Sequence, residues 1–207
     1  MFNRKDFRPA YSKLGTLGSI FSSIPIVGLT ATATVATKKK ISESLGFVDA
    51  VTIEENPDRP NIFFSSSTRP SHGEEKITCV LHTLLSELQC KRLECPLTVV
   101  YGKLETISTC FAYFSEEMGK NQYEPVGAPP VAKNRLFTQY HAQYPEHERQ
   151  RIVEELVTGN SKLRVVFATV AFGIGLDIRN IRQVIHIGVP YTIEEYFQEA
   201  GRAGRDG

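Results

Sequence analysis

The sequence predicts an α/β fold with parallel sheets flanked by helices. Two observations carry that expectation. Short, continuously apolar runs such as L-T-V-V-Y at 97–101 and V-V-F-A at 165–168 alternate with amphipathic segments of helical period, the pattern of buried parallel strands and crossover helices. Threonine- and glycine-rich stretches, T-A-T-A-T at 30–34 and T-V-A-F-G-I-G-L-D at 169–177, follow apolar runs directly, and ligands of open α/β sheets gather at the carboxyl ends of strands.

The first helix is expected after D-F-R-P-A-Y, residues 6–11, with Pro9 in its first turn and Leu14, Leu17 and Phe21 at spacings of three and four. Residues 24–29, I-P-I-V-G-L, read as a short buried strand, and Thr30, Thr32 and Thr34 follow it. Hydroxyls alternating with small residues can bond a loop or a phosphate without bulk. A helix with Ile41 and Leu45 inward comes next, and Gly46 stops it. Residues 51–53 and 62–64 read as strands, separated by the turn-rich N-P-D-R-P-N at 56–61. The domain boundary is expected there, giving a first domain over 1–64 and a second over 65–207.

In the second part, Leu81, Leu84, Leu85 and Leu88 give residues 75–89 an apolar helical face, and a strand at 97–101 leads to a helix ending near Met118. Residues 119–134 carry glycine, proline and polar residues without period and predict a surface loop. A strand at 136–140 precedes His141, a helix spans 146–157 before Gly159, and a strand occupies 164–168. Glycines just past that strand let backbone N–H groups approach an anion. A strand at 183–187 leads to the last helix. Thr192 and Glu195 form a capping box, with Tyr191 and Tyr196 at the positions of a hydrophobic staple. If this helix continues, Gln198, Arg202 and Arg205 share one face, suited to an anion because guanidinium stays charged and forks onto phosphate oxygens.

A net charge of +1 over 207 residues excludes binding to nucleic acid by bulk charge, though not by a local groove. The longest apolar runs fall short of the roughly 20 residues of a membrane helix, and M-F-N-R-K-D-F lacks the apolar core of a secretory signal. The expectation is an intracellular protein with no membrane partner. Cys79, Cys90, Cys95 and Cys110 contain no C-x-x-C pair, so reduced thiols are expected and no zinc or other metal site.

The closing string Q-E-A-G-R-A-G-R-D-G, at 198–207, resembles the last motif of the RecQ family of DNA helicases in superfamily two. Upstream, L-T-A-T-A-T resembles the third helicase motif, A-T-V-A-F-G-I-G the fifth, and D-F-R-P-A-Y the end of the family's aromatic-rich loop. R-P-N-I at 59–62 is similar to the segment before the family's second domain, and the 119–134 loop looks more like a eukaryotic relative. The resemblance implies RecA-like sheets, a partial first domain and a nearly complete second one. It makes Arg205 the arginine finger with Arg202 supporting. Gln198, Asp177 and Gly175 fall on the nucleotide side, and Thr169, Gly173, His141, Phe7 and Arg8 on the DNA side. Thr30, Thr32 and Thr34 couple the two. The implied activity is ATP-dependent 3′–5′ unwinding of DNA in repair or recombination, in the nucleus if the source is eukaryotic. The implied partners are single-stranded DNA and duplex junctions.

Neither G-K-S/T nor D-E-x-H occurs in the chain; its Gly-Lys pairs continue as Gly102-Lys103-Leu104 and Gly119-Lys120-Asn121. ATP and magnesium are therefore expected only in a longer parent that supplies the missing half of the first domain, with none bound by this chain alone. A non-catalytic truncated remnant with at most weak DNA binding is the alternative, and an RNA helicase a third reading.

Overall fold

The computed structural model of the chain describes residues 13–21, 23–30, 33–56, 58–68, 75–172 and 177–205. The chain divides into two compact units, Met1–Asp58 and Arg59–Gly207. The division falls a few residues before the expected 64/65 boundary, and the R-P-N segment lies with the second unit.

In the first unit, α1 (Gly15–Ile20) packs close to α2 (Val35–Leu45). A Cβ at Gly15 would collide with the Ser44 carbonyl, so glycine permits the approach. Thr34 caps α2 by accepting the Thr37 N–H at 3.2 Å. Gly46 ends it in the left-handed region (φ 66°), where its N–H and that of Phe47 return to the last turn. The strands expected at 24–29 and 51–53 do not form: Val27, Leu29, Val51 and Ile53 are exposed, and no strand pairs among the described residues of this unit. Apolar composition supplied strand propensity, but a strand also needs a ladder partner.

The second unit is built on a four-stranded parallel sheet in the order β2-β3-β1-β4: β1 (Leu97–Tyr101), β2 (Phe137–Tyr140), β3 (Val165–Ala168) and β4 (Ile181–His186). The period-two geometry of a strand sorts its side chains. Val100, Val165, Phe167 and Phe137 face one core with Leu81, Leu84, Leu85 and Leu88 of α3 (Glu75–Lys91) and Ile107, Cys110 and Phe114 of α4 (Leu104–Met118). Leu97, Val99, Tyr101, Val166 and Ala168 face the other, with Ile152 and Leu156 of α5 (Glu146–Thr158). Both faces are covered, which is why β1 and β3 read as apolar runs, broken only by Thr98. Phe114 is the hub of the first core, edge-on to Phe137 at 5.5 Å and to Phe167 at 4.9 Å.

The 119–134 segment lies on the surface but is anchored. Arg92 donates to the Glu124 carboxylate at 2.6 Å and to the carbonyls of Asn121 and Tyr123, while Lys162 bonds the Glu124 carbonyl and the Asn134 side chain. Of the cysteines, Cys95 and Cys110 are buried free thiols and Cys90 is an exposed one; burial pushes Cys95 up to about 11 and Cys110 up to about 12. No described helix is long and apolar enough to cross a membrane.

Two expectations in this unit are corrected. Residues 62–64 form no strand. They follow a turn in which the Ile62 N–H donates to the Arg59 carbonyl, and Phe64 packs on Tyr196 with ring centroids 6.0 Å apart. The last helix, α6 (Ile193–Ala200), also does not continue to Arg205: residues 201–205 form successive turns, and Gly204 is left-handed with φ 61°. Two glycines in four residues end the helix instead of being tolerated within it.

Candidate nucleotide and nucleic-acid site

The carboxyl edge of the sheet gathers the first group of residues. Parallel pairing puts Tyr140 beside Ala168, so His141 and Thr169 emerge together, and the Thr169 N–H donates to the Tyr140 carbonyl at 3.1 Å. The Thr169 hydroxyl accepts the Ala171 N–H at 3.4 Å, holding the turn that leaves β3. His141 packs edge-on against Tyr144, 5.4 Å between ring centroids, and its Nδ1 is buried without a hydrogen-bond partner. Burial, and secondarily the Arg149 guanidinium, hold its pKa below the usual histidine value, so the ring is neutral near pH 7. The candidates His141 and Thr169 are thus neighbours at the carboxyl edge of the sheet.

The second group surrounds the turn after α6. Half of the capping box forms as expected, the Thr192 hydroxyl accepting the Glu195 N–H at 3.1 Å, while the Glu195 carboxylate reaches one residue further back and accepts the Tyr191 N–H at 3.0 Å. The staple expected between Tyr191 and Tyr196 is replaced by other packing. Tyr191 is exposed, while Tyr196 lies 5.1 Å from the His186 ring. Because the helix stops at Ala200, exposed Gln198 stays on it while Arg202 and Arg205 belong to the turns that follow.

Arg205 Nη1 donates to Asp177 Oδ1 at 3.1 Å, and Arg179 Nε to Asp177 Oδ2 at 3.3 Å. Those bonds, from Arg179 first and Arg205 second, hold the Asp177 carboxyl below its ordinary value. Arg202 lies beside the buried Tyr101 phenol, whose pKa burial pushes far up, and its Nε is buried without a hydrogen-bond partner. Behind it, Glu199 is buried and meets His186 Nε2 at 2.8 Å, and His186 stacks on Tyr101 at 5.6 Å. This Tyr101–His186–Glu199 layer joins the ends of β1 and β4 to α6. Sequence reasoning missed it. The available signals were a histidine inside the apolar run I-H-I and a glutamate between apolar neighbours on α6.

Phe7, Arg8, Thr32, Gly173 and Gly175 lie outside the described residues. Thr30 is exposed, and the Thr34 hydroxyl serves the α2 cap.

The helicase conserved C-terminal domain matches residues 129–207. ATP-dependent DNA helicase Q1 of Rattus norvegicus is 32% identical over 201 residues, 97% of this chain and 29% of the relative. The ATP-dependent DNA helicase RecQ of Pasteurella multocida is 31% identical over 201 residues, 97% of this chain and 28% of the relative. The chain carries a RecQ-family C-terminal helicase domain. It spans under a third of the length of these relatives. S. cerevisiae Dbp5, solved with RNA and ADP BeF3, shares the fold with a TM-score of 0.57 at 16% identity, over 85% of this chain and 41% of that one. The parallel sheet of this RecQ-family domain is therefore RecA-like.

Proposed function

We propose that the chain is the DNA-gripping second domain and arginine-finger donor of an ATP-dependent 3′–5′ DNA helicase acting in repair or recombination, nuclear if the source is eukaryotic. The observation that carries this reading is the turn at 201–205, which presents Arg202 and Arg205 from one short segment braced by Asp177 on one side and by Tyr101 on the other.

The unpartnered buried Nε of Arg202 fits a site that takes an anion. Arg205 and Arg202 would hold the terminal phosphate of ATP, and ATP supplies the phosphoryl transfer that drives unwinding. Guanidinium placed at that phosphate offsets charge that builds in the transition state. Magnesium belongs with the D-E-x-H carboxylates, a motif these 207 residues do not contain. His141 and Thr169 contact the DNA backbone from the sheet edge; a neutral imidazole and a hydroxyl position phosphates without adding net charge.

The test is DNA-stimulated ATP hydrolysis by the protein as its gene expresses it, alongside Arg205→Ala, with duplex RNA as a competing substrate. Turnover should fall by about 10³-fold or more in the variant with ATP binding retained. Unchanged turnover in Arg205→Ala would remove the finger role. No turnover in the parent would favour a non-catalytic remnant, and ATP hydrolysis stimulated by RNA in preference to DNA would replace the substrate.

A further inference from the structure

We propose that Arg59 and Asn61, in the R-P-N segment that opens the second unit, are positioning residues for Arg205. The proposal rests on the finger reading above and deepens it.

Arg59 Nη2 donates to the Gly204 carbonyl at 2.6 Å, and Asn61 Nδ2 donates to the same oxygen at 2.7 Å. Arg59 Nη2 also reaches the Ala203 carbonyl at 3.4 Å. Both lone pairs of one carbonyl are therefore taken by side chains more than 140 residues away in sequence. On its other side, Gly204 donates its N–H to the Ile181 carbonyl at 3.0 Å, at the start of β4. The residue before Arg205 is bonded at both backbone groups.

The geometry gives the consequence. The Gly204 carbonyl and the Arg205 nitrogen belong to one planar peptide unit. Fixing that oxygen fixes the plane, and the plane sets where the Arg205 Cα and its side chain begin. The fit is tight: a Cβ on Gly204 would stand 2.7 Å from Asn61 Nδ2, and φ at 61° already favours glycine. The clamp is rigid from its own side, since the Arg59 carbonyl accepts the Ile62 N–H at 2.9 Å. A guanidinium suits the task because it stays charged and its donors are held in a plane. The segment that leads the chain into the second unit thus holds the backbone of the finger.

The experiment compares Arg59→Ala, Arg59→Lys and the isosteric Asn61→Asp, which replaces a donor with a repelling acceptor. Each is made in the expressed protein and again in an Arg205→Ala background. A clamp lost by an ångström predicts kcat for ATP reduced about 10- to 100-fold, with KM for ATP and DNA affinity within about threefold, and recovery toward the parent in Arg59→Lys, which keeps one donor. In the Arg205→Ala background the same changes should cost nothing further, because the group they position is gone. Unchanged kcat, a rise in KM alone, or additive losses in that background would overturn the proposal. Tyrosine-fluorescence unfolding midpoints check that the variants fold; if Arg59→Ala does not, Arg59→Lys and Asn61→Asp still decide. If Arg205→Ala itself leaves turnover intact, the finger reading fails and the clamp with it; if Arg205→Ala is inactive and the clamp variants turn over normally, only the clamp fails.

Discussion

Replacing Gly204 with alanine adds one methyl group at the point where three constraints meet. The first is conformational. Gly204 sits at φ 61°, and an L-residue with a Cβ costs about 1–2 kcal/mol there. The second is steric: the new Cβ would lie 2.7 Å from Asn61 Nδ2, so Asn61 must withdraw and surrender its bond to the Gly204 carbonyl, a loss of about 1 kcal/mol. The third constraint, the bond from Arg59 to the same carbonyl at 2.6 Å, survives only if the peptide plane stays in place. The first two together predict a loss of about 2–3 kcal/mol. Two further variants divide that sum. Gly204→Asn keeps the clash but tolerates the left-handed region better, so it should be milder than alanine. The Gly204→Ala, Asn61→Ala double variant removes the clash partner, and its coupling energy should be about 1 kcal/mol. Urea unfolding read by tyrosine fluorescence suits the measurement: the chain has no tryptophan, and seven of its eight tyrosines lie beyond Asp58. A shifted midpoint at constant slope is the expected signature. A Gly204→Ala loss below about 0.5 kcal/mol, the range of an ordinary surface change, would refute the close approach between Asn61 and the turn.

Glu199→Ala should cost about 1–3 kcal/mol by leaving the His186 nitrogen without its partner, while Glu199→Gln, which keeps an acceptor in place, should lose clearly less; urea midpoints separate them. Phe114→Ala opens a hole among Phe137 and Phe167 and should cost about 3–5 kcal/mol, read from the same transition. For His141, folding lowers the pKa from its ordinary 6.5, so the unfolded chain binds the proton more readily. The stability from keeping the ring neutral is complete above about 6.5 and declines as pH falls toward the folded value. The parent's midpoint should drop more steeply than that of His141→Gln between about pH 7 and pH 5, and parallel curves would contradict the assignment.

The features legible in the sequence are those decided by neighbours in sequence. β1 and β3 announced themselves because both of their faces are buried, so each is apolar apart from Thr98 of β1. The caps at Gly46 and Thr192 announced themselves because the orphan N–H and carbonyl groups they satisfy lie within four residues, whereas Thr34, read as part of the T-A-T-A-T motif, emerged as a cap only in the structure. The apolar runs at 24–29 and 51–53 misled for the converse reason: propensity is local, but a ladder is not. The same distinction explains the last helix. Gln198, Arg202 and Arg205 fit one helical face only if Gly201 and Gly204 stay helical. In the structure Gly204 turns left-handed because a distant carbonyl at Ile181 and two distant donors, Arg59 and Asn61, hold it there.

The functional motif was legible as a string, but its mechanics were not. Glycine inside a helix carries a cost that the close approach of another group can offset. The structure gives the approach an identity: the Asn61 side chain, not a ligand, stands against Gly204. The same holds for the Glu199 of the motif, whose carboxylate turns inward to His186 at 2.8 Å while its neighbour Gln198 stays exposed. Within one ten-residue string, then, one carboxylate anchors the helix to β4, one glycine anchors the turn to the R-P-N segment, and the two arginines between and beyond them carry the charge. On the proposed finger reading, that alternation has a reason: a guanidinium positions a phosphate only as well as its own backbone is held.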